Sequence, residues 1–452
     1  MRRDITITIG PLTDTKKEMS TLSLHFAGQP EDVVLDVNGT ALLKVSGAVP
    51  DLGQDFLCLA SCIYAADKAV PRDGTDDKWT RHLAIEIPVE HADTWNGVAD
   101  ELSACIGFLT GDLWEISFRN GEKRLVQKKP RRHRVRLKRA TGGAVCLFSG
   151  GLDSFIGALD WLTDNPTEKL LLVGHYDGDV SGPGSDQKAL RAICQQRFPG
   201  RFELAQTRVG LSSGGADTNF RSRSLLFIAL GCYFAELLGE RTPVLIPENG
   251  PIALNLPLTP ARRGSCSTRT VHPQFLSSLS QILGRVGVRN PVHNPYELKT
   301  KGEMVDECRD TIALQAAYAL TRSCAKSSRR GHWINKRGPS GKAPLGCGIC
   351  IPCLFRRAAL HTRGFDQEVY GIPVELIADL HGAARSDLLA LVAFLRRGES
   401  DREIAAGLLG NGSLPLGSLS EYVDLVKRMR SEVLTWLRAC GSTYLKSQVR
   451  TC

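Results

Sequence analysis

Residues 144–163 read Ala-Val-Cys-Leu-Phe-Ser-Gly-Gly-Leu-Asp-Ser-Phe-Ile-Gly-Ala-Leu-Asp-Trp-Leu-Thr. The first five, 144–148, are apolar and partly β-branched, the pattern of a strand buried on both faces of a parallel sheet. Ser149, Gly150 and Gly151 follow. Two adjacent glycines let the backbone approach an anion closely, and a helix opening near Ser154 aims its unpaired N–H groups and positive dipole end at the same place. Ser149 and Ser154 add hydroxyls, and Asp153 adds a carboxylate suited to holding Mg²⁺ against phosphate oxygens. The stretch reads as a phosphate cradle; an ordinary strand-to-helix turn is the plainer alternative. It is not a Walker loop, because the Gly341-Lys342 pair is followed by Ala343 and lacks the leading glycine.

The run Ser-Gly-Gly-Leu-Asp-Ser at 149–154 resembles the pyrophosphate loop of the N-type ATP pyrophosphatases. That resemblance implies ATP cleaved between its α and β phosphates, with Ser149, Gly150, Gly151, Leu152, Asp153 and Ser154 around the nucleotide. Beyond the loop, helix and strand signals alternate: helix 154–163, strand 169–174, helix 186–197, strand 202–209, helix 221–238 and strand 243–247. Such alternation predicts an α/β fold with a doubly wound parallel sheet, whose ligands lie beyond the carboxyl ends of the strands.

The loops at those ends supply the candidate site. Tyr176, in Gly-His-Tyr-Asp-Gly-Asp at 174–179, offers a ring to an adenine. Arg221 and Arg223 open a helix, where cations are disfavoured unless an anion is bound; two exposed arginines are an equal alternative. Glu248 and Asn249 are placed to read the donor groups of a base. Arg269 and His272 close a long loop, a feature that tends to be functional, and are placed to hold a carboxylate or offset developing charge. The helix at 273–286 follows. Lys301 stands near the start of a helix expected at 300–320, and as an isolated observation reads more readily as a surface lysine.

Cys324 and the run Cys347-Gly348-Ile349-Cys350-Ile351-Pro352-Cys353 form the second strong signal. Thiolates three residues apart in a turn converge on one ion, and a fourth from upstream closes a tetrahedron, which predicts a structural zinc. A Cys₄ iron–sulfur cluster is the competing metal. The residues between are basic (Lys326, Arg329, Arg330, Lys336, Arg337, Lys342) and would partly offset the charge of four thiolates.

Residues 1–130 differ in texture and are expected to form an N-terminal α+β accessory domain for specificity or partner binding, with strands at 4–9, 33–37, 84–89 and 113–118, a buried strand or helix at 56–66 and helical spacing over 94–109. Asp4, Asp32, Asp36, His82 and His91 read as surface or structural groups. Residues 131–143 are a basic linker, 144–365 the nucleotide-binding domain with the cysteine site, and 366–452 a C-terminal helical extension. In that extension one helix ends near Gly398, and a capping box at 418–421 opens an amphipathic helix through Leu437. The basic stretch 119–139 suits a phosphate-bearing partner such as nucleic acid, although it lacks aromatic residues to stack bases.

Over 452 residues, 42% hydrophobic content is ordinary for two or three globular domains. No run of about 18 apolar residues occurs, so no membrane span is expected. Met1-Arg2-Arg3-Asp4-Ile5 lacks the apolar core of a signal peptide, so a cytoplasmic location and reduced thiols are expected for the 14 cysteines.

Taken together, the loop at 149–154, Arg223 with Phe227, Lys301 and the four cysteines resemble the QueC family, the ATP-dependent 7-cyano-7-deazaguanine synthases, over roughly residues 140–362. Ser224 stands where that family has asparagine, the chain is longer at both ends, and the cysteine spacing is wider. In these departures the chain is more similar to the QueC-like proteins of bacterial antiphage operons, the QatC type of the Qat system. The resemblance implies ATP, Mg²⁺ and Zn²⁺, a deazapurine substrate and a partner protein of the operon. It further implies adenylation of a substrate carboxylate, with Asp153, Arg223, Arg269 and Lys301 serving the chemistry, and transfer to ammonia or a protein N-terminus. The rival readings are a tRNA- or nucleic-acid-modifying enzyme sharing the loop, an NAD-synthetase-like amidotransferase, and a nucleotide-binding scaffold without turnover.

Overall fold

The structure, a computed structural model, describes residues 4–10, 13–15, 19–27, 31–44, 50–122, 124–126, 143–178, 183–212, 221–256, 258, 269–326, 333–337, 341, 343–374, 386–440 and 443–449. Its described strands are β1 (Asp4–Ile9), β2 (Thr13–Thr15), β3 (Met19–Phe26), β4 (Val33–Asn38), β5 (His82–Val89), β6 (Leu113–Asn120), β7 (Gly143–Leu147), β8 (Lys169–Tyr176), β9 (Phe202–Leu211), β10 (Val244–Leu245) and β11 (Val292–His293). They make one sheet in the order β11-β10-β7-β8-β9-β4-β3-β1-β5-β6, with β2 on β3.

The strand at the opening stretch is buried as its composition demands: Ala144, Val145 and Cys146 are each at most 1% exposed. It pairs in parallel with β8 on one side and β10 on the other. The chain runs outward from β7 through β8 and β9, then returns to lay β10 and β11 on the opposite flank. The loops after β7 and β10 therefore leave in opposite directions, which is where open α/β sheets form their ligand crevice.

β4 pairs antiparallel to β9, with Leu35 opposite Leu211 and Val37 opposite Val209, so the sheet continues from the core into the N-terminal segment. The segment expected to form an accessory domain thus shares the sheet of residues 143–293. Helix Asp51–Ala69, the stretch left open between strand and helix, packs on helix Arg223–Leu238. They come close at Gly53, where an added Cβ would lie 3.3 Å from the Cα of Tyr233. Gly53 N–H also donates to Glu236 at 2.8 Å.

The sheet ends at β6, and its open edge is covered by side chains. Asn96 accepts from Phe118 N–H at 2.9 Å and donates to Phe118 C=O at 2.9 Å, while Ser103 Oγ accepts from Ile116 N–H at 3.1 Å. The amide of Asn96 thus stands in for a neighbouring strand and blunts edge pairing.

Several elements differ from expectation. The helix expected at 300–320 is broken into Lys301–Asp306, Thr311–Ala317 and a 3₁₀ turn, Tyr318–Leu320. The break follows from Asp310, whose carboxylate accepts from Ala313 N–H at 3.0 Å and starts a new helix. Strands β2, β3 and β11 and helix Asp401–Leu409 carried no recognised sequence signal, although Ser400 and Glu403 form a capping box for that helix. The C-terminal helices are integral: Val423, Val426, Met429, Val433 and Trp436 share one apolar cluster with Cys347, Cys350, Cys353 and Leu354. No described helix is long and apolar enough to cross a membrane.

Of the isolated ionisable groups of the N-terminal segment, Asp32 pairs with His25, His82 with Glu115, His91 with Asp55 and Asp36 with Arg208 of β9, while the Asp4 side chain lies outside what the structure describes. Residues 131–142 and most of the basic stretch 119–139 lie outside the described residues. Within that stretch Arg119 bonds Ile9 C=O at 2.7 Å, and Arg124 pairs with Glu90 at 2.6 Å.

Candidate functional site

β7 delivers Phe148 and Ser149 to the crevice, and helix Leu152–Asp164 begins immediately beyond Gly151. Gly150 has φ +86°, a left-handed conformation that glycine adopts without a Cβ penalty, and an added Cβ would stand 3.2 Å from that of Asp186. Ser149 is exposed; its Oγ lies 3.1 Å from that of Ser154 and accepts from Gly151 N–H at 3.2 Å. Leu152 contributes backbone only, its side chain being buried with Phe148 and Phe155. A left-handed glycine, an exposed hydroxyl and a helix N-terminus thus meet at one point.

Asp153, 5% exposed, faces inward rather than into solvent. Its Oδ1 takes the Lys301 ammonium, and its Oδ2 accepts from Asn249 N–H at 3.1 Å and Asn249 Nδ2 at 2.7 Å. Burial alone would raise its pKa, but Lys301 and the hydrogen bonds outweigh that and hold the carboxyl below its usual range. Burial and the adjacent Asp153 charge push the Glu248 carboxyl well above its usual range. Lys301 is no surface lysine, being 4% exposed at the start of a helix capped by Thr300 and Glu303. The crevice thus joins Asp153 after β7, Glu248 and Asn249 after β10, and Lys301. With both oxygens of Asp153 engaged, the carboxylate expected to hold Mg²⁺ instead holds a lysine.

The second group lies beyond β8. Arg223 Nε donates to His175 Nδ1 at 3.4 Å, and His175 Nε2–H donates to Val209 C=O at 2.9 Å, which assigns the tautomer. Asp177 Oδ2 accepts from Tyr64 Oη at 3.0 Å and Lys68 Nζ at 2.5 Å, both from helix Asp51–Ala69. Tyr176 is half-buried beside Gly184. Arg221, the other arginine expected to sit on an anion or in solvent, is 3% exposed and so is withdrawn from solvent. It is buried over Trp79, 4.1 Å from the ring centroid, and donates to Thr110 C=O at 2.7 Å. The anion at this helix start is the protein's own Asp67, which accepts from Ser222 N–H at 2.9 Å and pairs with Arg81 at 2.5 Å.

Arg269 and His272 are placed elsewhere. Arg269 lies 4.4 Å from the Phe108 ring centroid and donates to Phe108 C=O at 2.9 Å. His272 meets the same ring edge-on at 5.3 Å and accepts from Gln274 N–H as a helix cap. No described contact joins either to Asp153, Lys301 or Arg223. The intervening loop 259–268 lies outside the described residues.

The four cysteines converge. Their sulfur atoms all lie within 4.8 Å of one another, with Cys350–Cys324 at 3.9 Å and Cys347–Cys353 at 4.0 Å. Four ligands at about 2.3 Å from one ion would be about 3.8 Å apart in a tetrahedron, so the spacing fits a single metal ion. Gly348, at φ +86°, makes the turn that turns the sulfurs inward. The cluster's backbone N–H groups of Lys326, Cys347 and Cys350 each donate to a sulfur at 3.3 Å, as thiolate ligands require.

Tyr64, Lys68, His175 and Asp177 were not among the expected site residues. Asp177 stood in the loop already marked at 174–179, but Tyr64 and Lys68 sit in an apolar helix with no motif. His175 has a testable consequence. Burial first, and then the Arg223 charge, lower its pKa to about 3. Between about pH 6.5 and 3 the unfolded chain binds a proton that the folded protein refuses, so stability is full above pH 6.5 and falls as pH drops through this window. Denaturation curves across that range are expected to lose up to about 1.4 kcal/mol per pH unit from this group, and H175Q should flatten the slope. An unchanged slope would mean that His175 titrates normally.

No protein-family model matches the chain, and no curated protein matches it. The fold and sites define its class only coarsely, as an α/β protein with a large, mostly parallel sheet and a four-cysteine group that could hold a metal such as zinc.

Proposed function

We propose that this protein is a QueC-like, ATP-dependent enzyme that adenylates the carboxylate of a 7-deazaguanine and passes the acyl group to an amine. The observation that carries the reading is the cradle at the β7/β10 switch point, with Lys301 tied to its helix through Asp153. The N–H groups around Gly150 and Gly151 and the Ser149 hydroxyl would hold the β and γ phosphates, with Mg²⁺ carried on phosphate oxygens. The substrate carboxylate attacks the α phosphorus, the bond to the bridging oxygen breaks, and pyrophosphate leaves with Lys301 and Arg223 offsetting charge. Attack by ammonia or a partner-protein N-terminus on the acyl adenylate then releases AMP. The four cysteines hold a structural zinc, and a defence-operon partner would dock through the N-terminal segment or the C-terminal helices in the cytoplasm.

The test is incubation with ATP, Mg²⁺ and 7-carboxy-7-deazaguanine, with and without a co-expressed partner, measuring AMP, pyrophosphate and the masses of base and partner. AMP and pyrophosphate in equal amounts are expected. Their absence from folded, metal-loaded protein would reject the reading in favour of a silent scaffold.

A further inference from the structure

A reader of base donor groups was expected at Glu248 and Asn249, but both are turned toward Asp153. Asp177 follows β8 at its carboxyl end. Tyr64 and Lys68 both engage its Oδ2, and its Oδ1 has no partner among the described residues. Arg223 stands close enough to feel the Asp177 charge, yet no ion pair joins them among the described residues. Buried neighbours hold the two apart. His175, fully buried, takes the Arg223 Nε–H, and Tyr64, 1% exposed, anchors Asp177. Asp67 fixes the start of the Arg223 helix through Ser222. The terminal nitrogens of Arg223 have no described partner.

This subsite adjoins the cradle. Gln187 is buried between them: an added Cβ on Gly174 would lie 2.2 Å from its Oε1, and one on Gly150 would lie 3.5 Å from its backbone nitrogen. A fixed carboxylate oxygen beside a fixed guanidinium complements a planar edge that carries N–H donors next to a carbonyl, the donor–acceptor order of a guanine-type base.

We infer that Asp177 and Arg223 form the base-reading subsite, Asp177 taking the ring and exocyclic N–H groups and Arg223 the carbonyl, with Tyr64 and Lys68 of the N-terminal segment as positioning residues. The segment therefore completes the substrate site. This inference rests on the proposed deazaguanine substrate.

The experiment is calorimetric binding of 7-carboxy-7-deazaguanine and its 2-deamino analogue to the full chain and to Asp177→Asn, with ATP binding and thermal melting measured on each. The wild type is expected to prefer the guanine-type acid, and Asp177→Asn to weaken it about 10- to 100-fold and erase the preference, with ATP affinity unchanged. Lys68→Met should weaken binding less and in the same direction. If the wild type binds the acid and Asp177→Asn binds it equally well, the inference is overturned and the proposed function stands. If the wild type binds neither base, the substrate reading fails and the inference with it. Should Asp177→Asn misfold, loss of the base preference in Lys68→Met supports the assignment, and an intact preference there rejects it.

Discussion

Lys301→Met is expected to abolish AMP formation and to lower stability by about 3–5 kcal/mol, the usual cost of leaving one half of a buried ion pair. Asp153 is 5% exposed, and without Lys301 its charge keeps the hydrogen bonds of Asn249 and Glu248 but no cation. The group would then be driven to protonate, so the variant's stability should rise as pH falls through the raised Asp153 pKa, against the trend of the wild type. The double variant Asp153→Asn/Lys301→Met removes both charges and should recover most of the stability but none of the activity. Urea denaturation and pyrophosphate release read the two effects separately. A single variant as stable as the wild type would show that the pair is not buried against water, and one that still forms AMP would remove Lys301 from the chemistry.

Cys350→Ser, or exhaustive chelation, is expected to strip about one equivalent of zinc per chain and to unfold the C-terminal third. A structural zinc in a four-thiolate site supplies folding free energy of about 10–16 kcal/mol, as large as the whole margin of about 5–15 kcal/mol of a typical domain. Cys347, Cys350 and Cys353 belong to the same apolar cluster as Trp436, whose indole also donates to Asp366 at 3.1 Å. The damage should reach the crevice through helix Leu419–Cys440. Its Leu425 lies against Gly250, its Glu432 accepts from Gly302 N–H at 3.2 Å, and its Tyr422 bonds Glu297. Metal analysis, limited proteolysis of residues 333–449 and AMP formation should therefore fall together. Retained iron with a coloured protein would identify a cluster instead of zinc, and an unchanged proteolytic pattern after metal loss would show that the cysteines do not support this core.

The residues near one another along the chain were legible before any coordinates. The cradle at 149–154 needs only a buried strand, two glycines and a helix start, all set by neighbours within one turn. The same holds for Cys347, Cys350 and Cys353, whose spacing brings three sulfurs together in one turn. Alternating strand and helix signals from 144 onward likewise announced a parallel sheet, because β7 and β8 are buried on both faces and read as unbroken apolar runs.

The long-range polar contacts had no such trace. Asp153 and Lys301 meet across 148 residues, and Asp177 meets Lys68 across 109. A hydrogen bond between distant residues imposes no periodicity on either segment, so Lys301 taken by itself reads as a surface lysine and is marked only through the family resemblance, while Lys68 reads as the polar end of an apolar helix. Arg269 and His272 show the converse. Their residue types suited charge stabilisation, yet the aromatic face of Phe108, 161 residues before Arg269, takes both. The pairing of β4 with β9 also arises only in three dimensions, because edge strands choose partners by register and by what the finished sheet leaves open. Local chemistry is written in spacing, whereas the walls of the crevice come from segments brought together by burial of the core.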